Sequence, residues 1–343
     1  MTTTTLDARE SILDTFRRLR LGPYLFVIGV ALAAYVVIGP QQFVNALTIG
    51  AIYAHVALGY TMVYGIIELI NFAHGDVFMV GAFASMFVLT SILGQDPSGS
   101  ATSVPQAVFL IVTTFLLVMP AMGVLGVAIE RFAYRPLRNA PRLAPLITAI
   151  GVSFILQNII QILFGPSPIN TPQVIPPTAK VEIGNTSVGV INIFVITVSI
   201  VLMIALQLFV NRTRLGRAMR STAQDRDAAQ LMGVDINRTI ALTFFIGSAL
   251  AGAAGVVQGL YFGNIQFTLG FQAGLKAFTA AVLGGIGNIT GAALGGFVIG
   301  FVEVTAAATG LFAWGQALVF AVLIVTLVFR PAGLLGQQLG ERA

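Results

Sequence analysis

"VINIFVITVSIVLMIALQLFVNRTRLGRAMRSTAQDRDAAQLMGVD", Val190 to Asp235, joins two chemistries at a sharp boundary. Residues 190–210 form an almost unbroken apolar run. Then come Arg212, Arg214, Arg217, Arg220 and Arg226, with Arg238 just beyond. About 20 apolar helical residues span a hydrocarbon core, and loops rich in arginine stay on the cytoplasmic side. The stretch therefore reads as a transmembrane helix that empties into a cytoplasmic loop, 211–238.

The same alternation extends in both directions. Apolar runs occupy about 21–39, 43–67, 77–93, 105–129, 143–164 and 239–262, and 277–329 is apolar almost throughout. The chain is 57% hydrophobic and 9% charged, where a soluble domain has about 25% charged residues. The fold class is all-α, a polytopic membrane protein with roughly 8–10 transmembrane helices, some of them interrupted or re-entrant. Continuous apolar runs exclude a β-barrel, whose strands alternate. A second basic loop holds Arg131, Arg135, Arg138 and Arg142, whereas 94–104 and the proline-rich 165–189 share one basic residue, Lys180. The N-terminus, 130–142, 211–238 and the C-terminus are expected in the cytoplasm. Residues 1–20 read as an amphipathic segment on the inner surface, 21–335 as the transmembrane domain and 336–343 as a cytoplasmic tail.

Several activities are excluded. Without cysteine there is no disulfide, thiolate metal site or cysteine nucleophile. The two histidines, His55 and His74, form no HExxH pair, so no metal site is expected. "GGIGNITG" (284–291) lacks GxGxxG spacing, and neither Lys180 nor Lys276 follows a glycine, so there is no Walker A pair. No catalytic residue and no cofactor are expected in this chain. If ATP drives it, another subunit binds the nucleotide. The net charge of +5 is a topology signal, and no nucleic-acid partner is implied.

Two glycine-rich regions break the apolar pattern, Ile70–Ser85 and Gly284–Gly300. Each sets an asparagine before a glycine-spaced helix, as paired interrupted helices do in transporters. Asn71, His74, Gly75, Gly287 and Asn288 are the candidate pathway residues. Gly247, Ala251, Gly255, Gly259 and Gly263 recur every four residues, as do Gly287, Gly291 and Gly295. Small residues so spaced let helix backbones approach closely in lipid. Glu68, His74 and Asp76 read equally as solvated loop groups or as functional intramembrane charges, while Glu303 in the apolar tail is expected to face a helix or a watery cavity.

Within the basic loop, "STAQDRDAAQLMGVD" (221–235) reads as a polar helix of about three turns. Thr222 is its expected N-cap, and Asp225 and Asp227 suit its first turn. Ala228, Leu231 and Met232 form a small apolar face beside Ala229, and Gly233 is the stop signal. An exposed apolar face rimmed by charge implies that something docks there.

"DAAQLMG" (227–233) resembles the EAA---G signature of ABC-importer permeases, with aspartate for glutamate and without the longer I-x-L-P tail. "GYTMVYGIIELINFAHGDVFMVGAF" (59–83), "YRPLRNAPRLAPLITAIGVSFILQN" (134–158) and "AFTAAVLGGIGNITGAALGGFVIG" (277–300) are similar to the inner-membrane permeases of high-affinity branched-chain amino-acid importers. The resemblance runs from Asn45 to Gly333. It implies a permease subunit in a bacterial inner membrane, working by alternating access. It further implies a paralogous permease partner, two cytoplasmic ATP-binding subunits and an extracytoplasmic substrate-binding protein. In that family the helix containing Asp225, Asp227 and Gly233 couples to the ATPase. Close relatives carry urea, short amides or other neutral amino acids, so the substrate stays open at this point. A proton-coupled secondary transporter using Glu68, Asp76 or Glu303 is the alternative of a different class.

Overall fold

The computed structural model describes residues 22–67, 69, 71–97, 99–101, 103–138, 140–141, 143–184 and 186–336. The expected amphipathic segment 1–20, Glu68 and all of the expected tail except Gly336 lie outside the described residues.

Helix α1 (Gly22–Ile67) takes in two of the expected runs and is broken at Gly39, whose φ of 73° and ψ of 172° leave helical space. Pro40 follows, and it has no N–H with which to continue the ladder. The Tyr35 and Phe43 rings flank the break and meet edge-on at 5.4 Å. A straight helix would separate those positions by about 12 Å along its axis, so the chain bends sharply here. After α1 come α2 (His74–Phe87), prolonged by a π-helical turn to Ile92, and α3 (Val104–Ile129), prolonged by a π-helical turn to Tyr134 and a 3-10 turn to Leu137. Next stand α4 (Leu143–Phe164), α5 (Val190–Arg212), the short α6 (Arg214–Gln224) and α7 (Arg226–Leu231), and α8 (Ile236–Phe262). The chain closes with α9 (Leu269–Gly284), α10 (Ile289–Ala308) and α11 (Gly315–Phe329). Among the described residues eight helical stretches are long and apolar enough to cross a membrane, and α9, at 16 residues, is not one of them.

Burial sorts these helices into a centre and a ring. In α8, α2 and α10 the buried share of the most apolar window is 78%, 67% and 61%, against 17% to 28% in α3, α4, α5 and α11. The second leg of α1 is buried continuously from Gly50 to Val63 and forms the axis of the centre. The ring turns Ile, Leu, Val and Phe outward, where lipid replaces water as the solvent. Among the described residues four short strands lie between the helices, β1 (Ile169–Asn170), β2 (Lys180–Ile183), β3 (Thr186–Gly189) and β4 (Asn264–Ile265). β2 and β3 form a hairpin. β1 pairs antiparallel with β4 and ties the α4–α5 connection to the α8–α9 connection.

Small residues set the central spacing. A Cβ on Gly81 would stand 2.8 Å from the Gly252 Cα, and one on Gly50 equally close to the Phe297 Cα. Gly247 faces Gly59, and Gly255 faces the backbone of Phe78 to Ala82. Gly291 and Gly295 on α10 face Gly284 and Ala280 on α9, and Ala251 is fully buried. Gly263 differs from the expected stripe: it lies beyond α8 as its left-handed cap, with φ 68°. The period of four ran on past the helix end, where the residue serves the turn.

Substitution should separate centre from ring. Gly255→Leu places atoms inside the backbone of α2 and should cost about 3 kcal/mol. Gly151→Leu, with nothing within 4 Å of its Cβ position, should stay within about 0.5 kcal/mol. Thermal unfolding in detergent, followed by size exclusion, reads both.

Candidate functional site

Two helices begin inside the body of the molecule, and their first turns touch. A Cβ on Gly75 of α2 would lie 2.7 Å from the Gly274 Cα of α9, and one on Gly270 would lie 2.8 Å from the Asp76 Cα. From this junction α2 runs beside α8, with Gly81 on Gly252 and Ser85 by Gly259. α9 departs along α1, passing the Tyr60 hydroxyl at Gly274 and ending near Gly65, which faces Gly287. Each first turn leaves N–H groups without helical partners and carries partial positive charge. The fully buried Asp76 sits in the first turn of α2 and supplies the compensating negative charge. Its carboxylate accepts hydrogen bonds from Ser153 Oγ and, at 3.1 Å, from Gln157 Nε2, both on α4. Just before the junction the Asn71 Oδ1 accepts a 3.0 Å bond from the Tyr134 hydroxyl, which the π-helical turn of α3 presents. The His74 ring packs edge-on against Tyr60 at 4.8 Å.

The second constellation lies where α1, α6 and α7 converge. Asp225 caps α7, its Oδ1 accepting from the N–H groups of Asp227 and Ala228 at 2.9 and 3.0 Å. Gly233 ends the turn with φ 84°, and the N–H groups of Gly233 and Val234 bond the carbonyls of Gln230 and Ala229. Ala229 is buried, whereas Leu231 and Met232 are 88% and 85% exposed. Arg226 donates from Nη2 to the Ile67 carbonyl at 2.8 Å. This closes the C-terminus of α1, where a cation suits the helix dipole. Arg220 does the same for α5 through the Val210 carbonyl. Arg138 bridges Glu130 and, at 2.6 Å, Asn237 Oδ1. Burial lowers the Arg138 pKa from its ordinary value, and Glu130 opposes the shift. Between these groups opens a cleft of about 460 Å³, lined among others by Ile66, Ile67, Thr222 and Asp225.

A third cluster joins three helices. Lys276 Nζ on α9 pairs with Glu303 Oε1 on α10 at 2.6 Å, and the Tyr53 hydroxyl of α1 donates to Glu303 Oε2 at 2.8 Å. A charge at the centre of a bilayer helix costs about 2.5–3.5 kcal/mol on insertion scales, which pairing offsets.

These positions revise the sequence reading in two places. Thr222 is not the N-cap. It lies in α6, buried and bonded to the Ala218 carbonyl, and the expected three-turn helix is two helices divided at Asp225. Thr222 is already inside α6 with its hydroxyl engaged by Ala218, whereas Asp225 has the extended backbone (φ −157°, ψ 115°) of a capping residue. Nor is Gly284–Gly300 the partner of the first interruption. Gly287 and Asn288 form the tight α9–α10 turn, in which Asn288 accepts from the Gly291 N–H and donates to the Leu335 carbonyl, both at 2.9 Å. The first interruption meets the start of α9 through Gly75 and Asp76, while Asn71 bonds Tyr134 and His74 packs on Tyr60. The signal in sequence for the start of α9 was the polar "GNIQFT" (263–268) between two apolar runs. Ser153, Gln157, Tyr53 and the pairing of Lys276 carried no local signal.

Comparison with known proteins places this geometry among relatives. The family model described as "Branched-chain amino acid transport system / permease component" matches residues 42–327. The high-affinity branched-chain amino acid transport system permease protein BraD of Pseudomonas aeruginosa is 42% identical over 302 residues, covering 87% of this chain and 95% of that protein. The corresponding LivH proteins of Salmonella typhimurium and Escherichia coli K12 are each 40% identical, with the same coverage. No solved structure matches the chain.

The cap of α7 is open to test. Asp225→Ala should cost the local helix about 1 kcal/mol, whereas Asp225→Asn should retain most of the cap. Amide hydrogen exchange across 226–231 should be faster in the alanine variant alone.

Proposed function

Because the chain belongs to the permease-component family of branched-chain amino acid transport systems, we propose that it is the membrane-spanning subunit of an ATP-driven importer of branched-chain amino acids. It works beside a paralogous permease, two cytoplasmic ATP-binding subunits and an extracytoplasmic binding protein. It spans a bacterial inner membrane with both termini in the cytoplasm, and 211–238 faces the ATPases. The nucleotide is bound by those partners.

One observation carries the mechanism. The exposed Leu231 and Met232 stand on a short helix whose Arg226 is bonded to the last carbonyl of the central helix α1. An ATPase that grips this knob and moves on closure pulls on the end of α1. The second leg of α1 carries Tyr60, which touches both His74 and the approach of Gly274. Movement of α1 therefore reaches the junction of α2 and α9. The substrate pathway runs past that junction, where Asn71, His74 and Gly75 end one half-helix against another. In the proton-relay reading Asp76 and Glu303 would load and release protons. Both instead accept hydrogen bonds from several donors, which argues against their carrying protons.

Reconstitution of the complete importer tests this. Arg226→Gln should lower ATP-driven leucine uptake about tenfold, the size of a typical coupling energy. Leu231→Glu with Met232→Glu should release the ATPase subunits on purification. Undiminished leucine uptake by the wild-type chain with the ATPases omitted would refute the proposal.

A further inference from the structure

Lys276 and Glu303 belong to neither the junction nor the coupling surface. Glu303 lies about 21 Å along α10 from Ile289 and about 8 Å from its other end at Ala308, and Lys276 lies about 10 Å along α9 from Leu269, so the pair sits inside the apolar span, nearer the C-terminal end of α10. Their side chains keep 17% and 25% exposure in the isolated chain. Along the start of α9 the half-buried Thr268 and Lys276 and the exposed Gln272 recur every four residues as a polar stripe, beside the exposed Phe271. A charged, partly open pair on a polar stripe does not suit a lipid face, and such groups line water-filled cavities. Toward the α9–α10 turn the same side of α1 continues as Tyr60 and Tyr64, which form a shallow apolar cleft with Phe278, Ala281 and Ile286.

We propose that Lys276, Glu303 and Tyr53 form a transit site for the zwitterionic head of an α-amino acid, Lys276 taking its carboxylate and Glu303 its ammonium group. This rests on the amino-acid reading above. The exchange is balanced in charge. The 2.6 Å ion pair opens, a zwitterion enters, and one neutral pair becomes two, so no unpaired charge is left in the span. Tyr53 steadies both arms. Its hydroxyl donates to Glu303 and lies 3.2 Å from Lys276 Nζ, which also stands 5.5 Å over its ring.

The plain alternative is a clamp that only fastens α9 to α10, and an apolar pair of similar volume can replace a clamp without loss. Two measurements on the complete reconstituted importer decide between them. The chain has no cysteine, so Gln272→Cys supplies a single thiol one turn from Lys276. A charged, membrane-impermeant thiosulfonate should label it, and saturating leucine under turnover should slow the labelling. Glu303→Gln keeps the shape of the side chain and should lower maximal leucine uptake about tenfold or more, the loss expected for a hydrogen bond to a charged group, while ATP hydrolysis continues. Lys276→Met with Glu303→Met should be more severe still. Unchanged uptake by either variant, or a thiol that stays unlabelled, overturns the site. Labelling without any leucine uptake by the wild-type importer would instead overturn the amino-acid reading on which the site depends.

Discussion

Two helix N-termini meet inside the apolar body of this chain, and the structure depends on how that meeting is tolerated. Each end exposes N–H groups that lipid cannot satisfy. Gly75, Gly270 and Gly274 let the backbones come within contact. Asp76 then sets a carboxylate between two partially positive ends, held by Ser153 and Gln157. Without the glycines the ends could not approach, and without the acid they would repel.

The remaining centre follows from that contact. α2 leaves the junction on a seam of small residues against α8, and α9 leaves it past Tyr60 of α1 with its own small-residue seam against α10. α1 therefore touches the junction through Tyr60 and the arginine cluster through Ile67. One helix thus joins the α7 cluster to the junction of α2 and α9. Because helices are stiff and tightly packed interiors transmit strain, a pull at Arg226 has few places to dissipate.

The arginines serve two purposes at once. As a set they record orientation, and individually they finish the fold. Arg226 and Arg220 cap the C-termini of α1 and α5, and Arg138 bridges α3 to the start of α8. A cation is stabilising at a helix C-terminus, so the charge that holds a loop on one side of a membrane also closes the helices entering that loop.

The sequence by itself determined the class, the approximate spans and the small-residue seams, because lipid imposes length, hydropathy and close-approach rules that each segment satisfies locally. It also marked the exposed Leu231 and Met232, since the short helix, its charged rim and its glycine stop are all local. The tertiary structure decided which segments meet. Asp225 rather than Thr222 caps α7 because Thr222 is buried in the helix before it. Gly75 and Asp76 meet Gly270 and Gly274, and the richer glycine run at 284–300 instead makes a turn and a packing face. Lys276 finds Glu303 and Tyr53 on two other helices. Such pairings depend on the rotation and depth of whole helices, and neither is written in the residues of a single segment.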